Sequence, residues 1–198
     1  RTAVDHAARI LAGSTHALED GDLVRDFTFP MKEHGELPPA FATDAPHSSI
    51  HISIRDASLP PSDAHSAQGA VEAAAAVGVQ TYASSIIMCD LLVRCPSAWY
   101  KRLNENLPVP FRVMELGAGT GIVGMVAAHV LSCIKAEKAV VHLTDYHEDV
   151  MTNLRHNVEH RLCLPNTCVH VECMPLDWRA LYDIVCPQHA SGTAVACT

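Results

Sequence analysis

The sequence predicts an α/β fold built on a parallel sheet, and three observations carry that prediction. From residue 78 onward, short β-type apolar runs alternate with longer helical ones, the rhythm that gives parallel strands with helices covering both faces. One strand, Val113-Met-Glu-Leu116, stops at a carboxylate and passes through Gly117, Gly119 and Gly121 into a helical apolar face of Ile122, Val123, Met125, Val126 and Val130. Glycines at alternate positions let the chain turn tightly and let its backbone approach a ligand that any Cβ would hold away. The chain has 198 residues, 48% of them hydrophobic, which is enough for a real core and argues against disorder.

In chain order, residues 1 to 20 can form a helix through Ala3, Val4, Ala7, Ile10 and Leu11. Phe27-Thr-Phe-Pro30 and Ile50-His-Ile-Ser-Ile-Arg55 alternate like short strands and predict a small N-terminal β-element. Leu37-Pro-Pro-Ala and Leu59-Pro-Pro-Ser are turn signals, and 66–76 is an Ala-rich, small-residue insertion. These make an N-terminal extension over 1–77. An α/β domain over 78–198 follows: a helix from Gly78 to Val93, strand 111–116, helix 120–134, strand 139–144, helix 147–160 and strand 168–173. In such sheets ligands sit beyond the carboxyl ends of the strands, where Glu115, Gly117, Asp145 and Trp178 converge.

Two cofactor classes fit the glycine spacing. Gly119-Thr-Gly-Ile-Val-Gly124 satisfies the dinucleotide pattern, with Asp145 roughly 20 residues on. Glu115 separates the readings, because a pyrophosphate there would meet like charge while a cation would be welcomed. S-adenosylmethionine carries a sulfonium and an ammonium and no phosphate, which favours a methyl donor over a nicotinamide.

The motif Glu115-Leu-Gly-Ala-Gly-Thr-Gly121 resembles the first motif of class I, seven-strand S-adenosylmethionine-dependent methyltransferases, which have a Rossmann-like parallel sheet. Val140-Val-His-Leu-Thr-Asp145 resembles their second strand, ending in the acid that holds the ribose hydroxyls, and 149–157 resembles the helix after it. Pro175-Leu-Asp-Trp178 resembles the adenine-side motif after the third strand. The order of an ELGAGTG turn, an LTD strand and an LxW strand end is most similar to the branch of non-histone protein-lysine methyltransferases and nicotinamide N-methyltransferase-like proteins. The resemblance runs from about Gly78 to Trp178. It implies a cofactor site of Tyr82, Glu115, Gly117, Ala118, Gly119, Thr120, Gly121, Asp145, Asp177 and Trp178, with Tyr82 standing where that branch usually has Trp. It also implies N-methylation of a protein lysine, or of a small nicotinamide-like molecule.

Each residue also has a plainer role. Tyr82 can be a core aromatic on an amphipathic helix with Ile86, Ile87 and Leu91. Asp145 can cap the helix that begins near Tyr146 or His147. Trp178 can be a partly buried surface aromatic. Asp177 can accept from the adenine amino group or cap residues 178–181. A metal site from His156, His160 and Cys163 would need all three on one helical face, and with thirteen histidines in the chain such spacings arise by chance, so no metal is expected.

Composition excludes other classes. A net charge of −8 with no basic cluster argues against nucleic acid, whose binding draws on Lys and Arg. No apolar run reaches the roughly 20 residues that span a bilayer, and the first residues lack a signal-peptide core, so a soluble intracellular protein without membrane partners is expected, cytoplasmic with the nucleus as the alternative. Eight scattered cysteines with no CxxC pair are expected to be reduced thiols.

The acceptor side is where the family pattern breaks off. Tyr182-Asp-Ile-Val-Cys186 starts like a fourth core strand, but Pro187-Gln-His-Ala follows where an acidic and aromatic motif is expected. The domain therefore reads as truncated after its third core strand, leaving the first strand with an exposed edge. A fragment of a larger enzyme, a shortened product, or a chain that completes its sheet with another chain would each account for this. A fragment is the preferred reading, and it predicts little methyl transfer by the chain alone. A non-catalytic interaction module and, less favoured, an NAD-dependent oxidoreductase are the other functional classes.

Overall fold

The computed structural model describes residues 14–17, 21–31, 49–58, 78–94, 110–133, 138–164, 168–178 and 180–181. Its elements are β1 (Ser14–Ala17), β2 (Leu23–Pro30), β3 (Ser49–Asp56), α1 (Ala83–Arg94), β4 (Phe111–Leu116), α2 (Ile122–Cys133), β5 (Ala139–Asp145), α3 (Glu148–Arg161) and β6 (Val169–Pro175). They form two three-stranded sheets, an antiparallel one ordered β1-β2-β3 and a parallel one ordered β4-β5-β6. No helix among the described residues is long and apolar enough to cross a membrane.

The alternation of Ile50, Ile52 and Ile54 against Phe27 and Phe29 does produce an antiparallel pair, with Ile52 opposite Phe27 and Ile50 opposite Phe29. Where a helix was expected over 1–20, the described part is instead strand β1, antiparallel to β2. The intervening Gly21 at φ +82° reverses the chain, so residues 14–17 pair locally, while the apolar residues Ala3 to Leu11 lie outside the described residues. The turn signals at 37–40 and 59–62, the insertion at 66–76 and the fourth-strand candidate at 182–186 lie outside them too.

From Phe111 to Pro175 the expected strand-helix alternation is present, with element ends within a residue or two of expectation. Helices are expected on both faces of the sheet, and of the described helices α2 and α3 share one face. A Cβ on Gly121 would run into Leu154 of α3 and Leu143 of β5, and one on Gly124 of α2 would run into Leu143 and Glu115, so α2 and α3 cover the same face. The reason is strand order. β4, β5 and β6 are added in one direction, and right-handed crossovers taken in one direction place every helix on one side; a helix reaches the other side only after the order reverses.

The two sheets share one hydrophobic core. Phe27, Phe29, Ile50, Ile52 and Ile54 of the N-terminal sheet cluster with Ile86 and Cys89 of α1, Ile122 and Met125 of α2, and Leu143 and Leu154 beyond them. α1 buries Ile86, Cys89, Leu92 and Val93. Ile87 and Leu91, expected on the buried face, point outward. The helix also begins later than expected, at Ala83, with Gly78 helical, a turn at Val79 and a bend at Gln80 before it.

Candidate active site at the carboxyl ends of the parallel strands

The glycine segment between β4 and α2 is fixed at every step. Ala118 N donates to the Thr144 carbonyl at 2.8 Å, Gly121 N to the Ala118 carbonyl at 2.8 Å, and Met125 N to the Gly121 carbonyl at 2.9 Å. Gly119 has φ +56°, and a Cβ there would stand 2.9 Å from the Gly78 carbonyl oxygen, so both the backbone conformation and the space demand glycine. The Thr144 hydroxyl donates to the Glu115 carbonyl at 2.7 Å, tying the end of β5 to the end of β4.

Asp145 closes the loop from the other side. Its Oδ2 accepts from Gly119 N at 3.1 Å, its Oδ1 from Tyr146 N at 2.8 Å, and its carbonyl from Leu176 N at 2.8 Å. The cap of α3 is not Asp145 but His147, whose ring nitrogen accepts from Asp149 N at 3.3 Å.

Beyond these strand ends lies a cavity of about 210 Å³ lined by Gly78, Gly117, Asp145, Tyr146, His147, Val150, Leu176 and Trp178. Trp178 lies against Gly117, where a Cβ would come within 3.6 Å of the indole ring. Tyr146 and Trp178 keep more than half of their surface exposed, so each offers aromatic surface. Three of the expected residues, Gly117, Asp145 and Trp178, therefore line one cavity.

The other expected residues occupy different places. Glu115 lies behind the loop, its Oε2 accepting from Gly124 N at 2.9 Å in the first turn of α2. Burial raises its carboxyl from the ordinary 4.5 to about 7; the Gly124 hydrogen bond opposes that rise and the charge of Asp145 adds to it. Thr120 is buried, with its hydroxyl 3.2 Å from that of Thr81. Ala118 and Gly121 are buried in the turn. Tyr82 is 47% exposed, so it is not a core aromatic, and its carbonyl accepts from Ser85 N and Ile86 N at the start of α1. Asp177 is exposed. Among the described residues no three His, Cys, Asp or Glu side chains are grouped to hold a metal ion; Cys163 falls beyond the end of α3, while His156 and His160 only pack ring to ring at 4.6 Å.

Sequence reasoning did not assign Gly78, Tyr146, His147, Val150 or Leu176 to the site. Tyr146 and His147 immediately follow the acid at a strand's carboxyl end, and that position is itself a signal. Gly78 carries none, because only the folded chain brings it against Gly119.

The chain belongs to the lysine methyltransferase family, whose model matches residues 67–196. That family generally uses S-adenosylmethionine. The chain is also similar to an uncharacterised protein of Dictyostelium discoideum, 35% identical over 83 residues, which are 42% of this chain and 19% of that protein. The matched stretch thus spans about a fifth of that relative's length.

Proposed function

We propose that the chain binds S-adenosylmethionine at the cavity beyond β4, β5 and β6, as the cofactor-binding part of an enzyme that methylates a protein lysine nitrogen. The observation that carries this reading is the junction of Asp145, the left-handed Gly117 and Trp178 around one cavity. The residues suit the group. Asp145 Oδ2 accepts from one amide and keeps a lone pair for a ribose hydroxyl, while Oδ1 accepts from Tyr146 N at 2.8 Å and at 3.5 Å from His147 N. Leu176 and the exposed indole of Trp178 would hold the base.

Glu115 argues against the dinucleotide alternative. A pyrophosphate needs the free amides at a helix N-terminus, and the Glu115 carboxylate already accepts from Gly124 N there. In its ionised form the Glu115 carboxyl beneath the loop favours a cationic ligand over an anionic one. When bound, the cofactor supplies a methyl group already activated by a sulfonium. This chain's residues then have to align donor and acceptor and exclude water. A lysine acceptor would have to arrive neutral, having lost a proton from a pKa of roughly 10.4. The protein is expected to act in the cytoplasm without nucleic-acid or membrane partners.

Calorimetric titration of the chain with S-adenosylmethionine and with NAD tests the cofactor. Binding of the first alone is expected, abolished in Gly119→Val and weakened in Asp145→Ala. Tight binding of NAD, or methyl-donor binding unchanged in both variants, would overturn the reading. Transfer of a labelled methyl group by the full-length protein, followed by amino-acid analysis, separates a lysine acceptor from a small molecule.

A further inference from the structure

The period-two pattern of β3 places Ile50, Ile52 and Ile54 on the core face, and the same alternation carries Asp56 onto that face one step later. Asp56 is 4% exposed. Its Oδ2 pairs with Arg25 Nε at 2.9 Å, while its Oδ1 accepts from the amide of Thr81 at 3.0 Å and from the Thr81 hydroxyl at 2.6 Å. The Thr81 hydroxyl lies 3.2 Å from that of Thr120, in the middle of the glycine loop. Burial raises the Asp56 carboxyl above its ordinary value, and the Thr81 hydrogen bonds and the Arg25 charge oppose that rise. The Thr81 hydroxyl proton goes to Asp56 Oδ1, which leaves Thr120 to donate to Thr81. The chain of hydrogen bonds has one direction, from the loop to the N-terminal sheet.

A second chain reaches the same loop residue. β3 is an edge strand, and at Arg55 its open edge is met by α3 rather than by another strand. Asn157, fully buried, accepts from Arg55 N at 2.9 Å, donates to the Arg55 carbonyl at 3.1 Å, and donates to the Thr120 carbonyl at 3.0 Å. Asn153, one turn earlier, also donates to the Arg55 carbonyl at 3.1 Å. Thr120 is thus held by its hydroxyl through Thr81 and by its carbonyl through Asn157. Both holds originate in Arg55 and Asp56, adjacent residues of β3.

We infer that Asp56, Thr81 and Asn157 are positioning residues of the glycine loop, through which the N-terminal antiparallel sheet sets the loop's grip on its ligand. None of the three lines the cavity; they act through Thr120, whose neighbours Gly119 and Gly121 both need left-handed backbone. Glycine adopts such torsions freely and many others besides, so contacts outside residues 119 and 121 must select the one the loop uses. Two independent hydrogen-bonded holds on one residue supply that here. The effect on ligand binding rests on the reading of the loop as a cofactor loop, whereas the effect on the loop itself does not.

The test uses Thr81→Val, which keeps shape and removes the hydroxyl, and Thr81→Ser, which keeps the hydroxyl. Thr120→Val breaks the same contact from the other end while leaving Asp56 its Thr81 partner, and it serves if Thr81→Val does not fold. Val130→Ala in α2 is a destabilised control away from these contacts. Two readouts are taken well below the melting temperature: amide exchange of the peptide spanning 117–124 in the free chain, and calorimetric binding of S-adenosylhomocysteine. Both Val variants at Thr81 and Thr120 are expected to speed loop exchange and weaken binding about tenfold, the scale of one hydrogen bond. Thr81→Ser should restore both, and Val130→Ala should change neither despite a lower melting temperature. Loop exchange and affinity unchanged in Thr81→Val or Thr120→Val, or equal loosening in Val130→Ala, would overturn the inference. Faster loop exchange in a chain whose wild type binds no S-adenosylhomocysteine would support the hold on the loop and remove the cofactor reading instead.

Discussion

The two faces of the parallel sheet are built from the same three strands and have opposite characters. On one, Val113 and Glu115 of β4 stand beside Val141 and Leu143 of β5 under α2 and α3, with Val141 and Leu143 fully buried. On the other, Met114 and Leu116 of β4 are 53% and 56% exposed, and in register with them His142 pairs with Glu172 at 3.3 Å while Met174 stays exposed. Most of the glycine loop's close contacts are on the covered face, with Leu143 and Leu154, and its carboxylate support is Glu115. From the other face of β5, buried Thr144 also holds it, accepting from Ala118 N and donating to the Glu115 carbonyl. The loop's packing is therefore secured mainly, though not only, from the covered side.

The largest expected effect comes from breaking the covered face at the loop. In Gly121→Ala the new Cβ meets Leu154 and Leu143, at a residue with φ +84°. Overpacking costs about 1–3 kcal/mol and left-handed backbone about 1–2 kcal/mol, so a combined loss of about 2–5 kcal/mol is expected in urea unfolding. A loss below about 1 kcal/mol would mean that α3 does not pack against the loop. Next comes Leu143→Ala, which leaves a cavity beneath α2 and should cost about 2–5 kcal/mol in the same measurement.

Glu115 sharpens the comparison through pH. Its folded-state value of about 7 lies above the ordinary 4.5, so the unfolded chain releases the proton first as pH rises. The stability this group contributes is fully present below pH 4.5, falls between 4.5 and 7, and is gone above, a loss of about 3 kcal/mol at 1.36 kcal/mol per unit. Glu115→Gln keeps an acceptor for Gly124 N and removes the titration. Urea unfolding should show the variant close to wild type at pH 4 and more stable at pH 8. Equal pH slopes in the two proteins would place Glu115 in solvent.

These differences mark what could be read from the sequence. The covered face was legible because apolar periodicity and alternating glycines report local conformation, and β4, α2, β5, α3 and β6 lie close to where that periodicity puts them. Asp145 was legible because it ends an apolar run, and Trp178 through the resemblance of Pro175-Leu-Asp-Trp178 to a family motif. The Thr81–Thr120 and Asn157–Thr120 contacts were not, since residues 39 and 37 positions apart meet only through tertiary packing. Two partial signals were present. Asp56 continues the Ile50, Ile52, Ile54 alternation, and Asn153 and Asn157 share one helical face at i, i+4. The placement of α2 and α3 on one face was hidden for a different reason: alternation sets the order of elements in the chain, whereas side depends on the spatial order of the strands.

The smallest expected effect is on the open face. Met114→Ser removes apolar surface that is already half in water, so it should change the stability of this chain by no more than about 0.5 kcal/mol. The neighbouring Val113, which faces α2, gives the contrast: Val113→Ala should cost about 1–2 kcal/mol, since its methyl groups pack against the core. The comparison becomes most useful when the Met114→Ser measurement is repeated in a longer form of the protein. If additional chain reverses the strand order and places helices on that side, Met114 becomes buried and its substitution grows to the cost of a core residue. An effect that stays small in the longer protein would make the one-sided sheet a property of the whole molecule, and would leave the residues of that face outside the acceptor site.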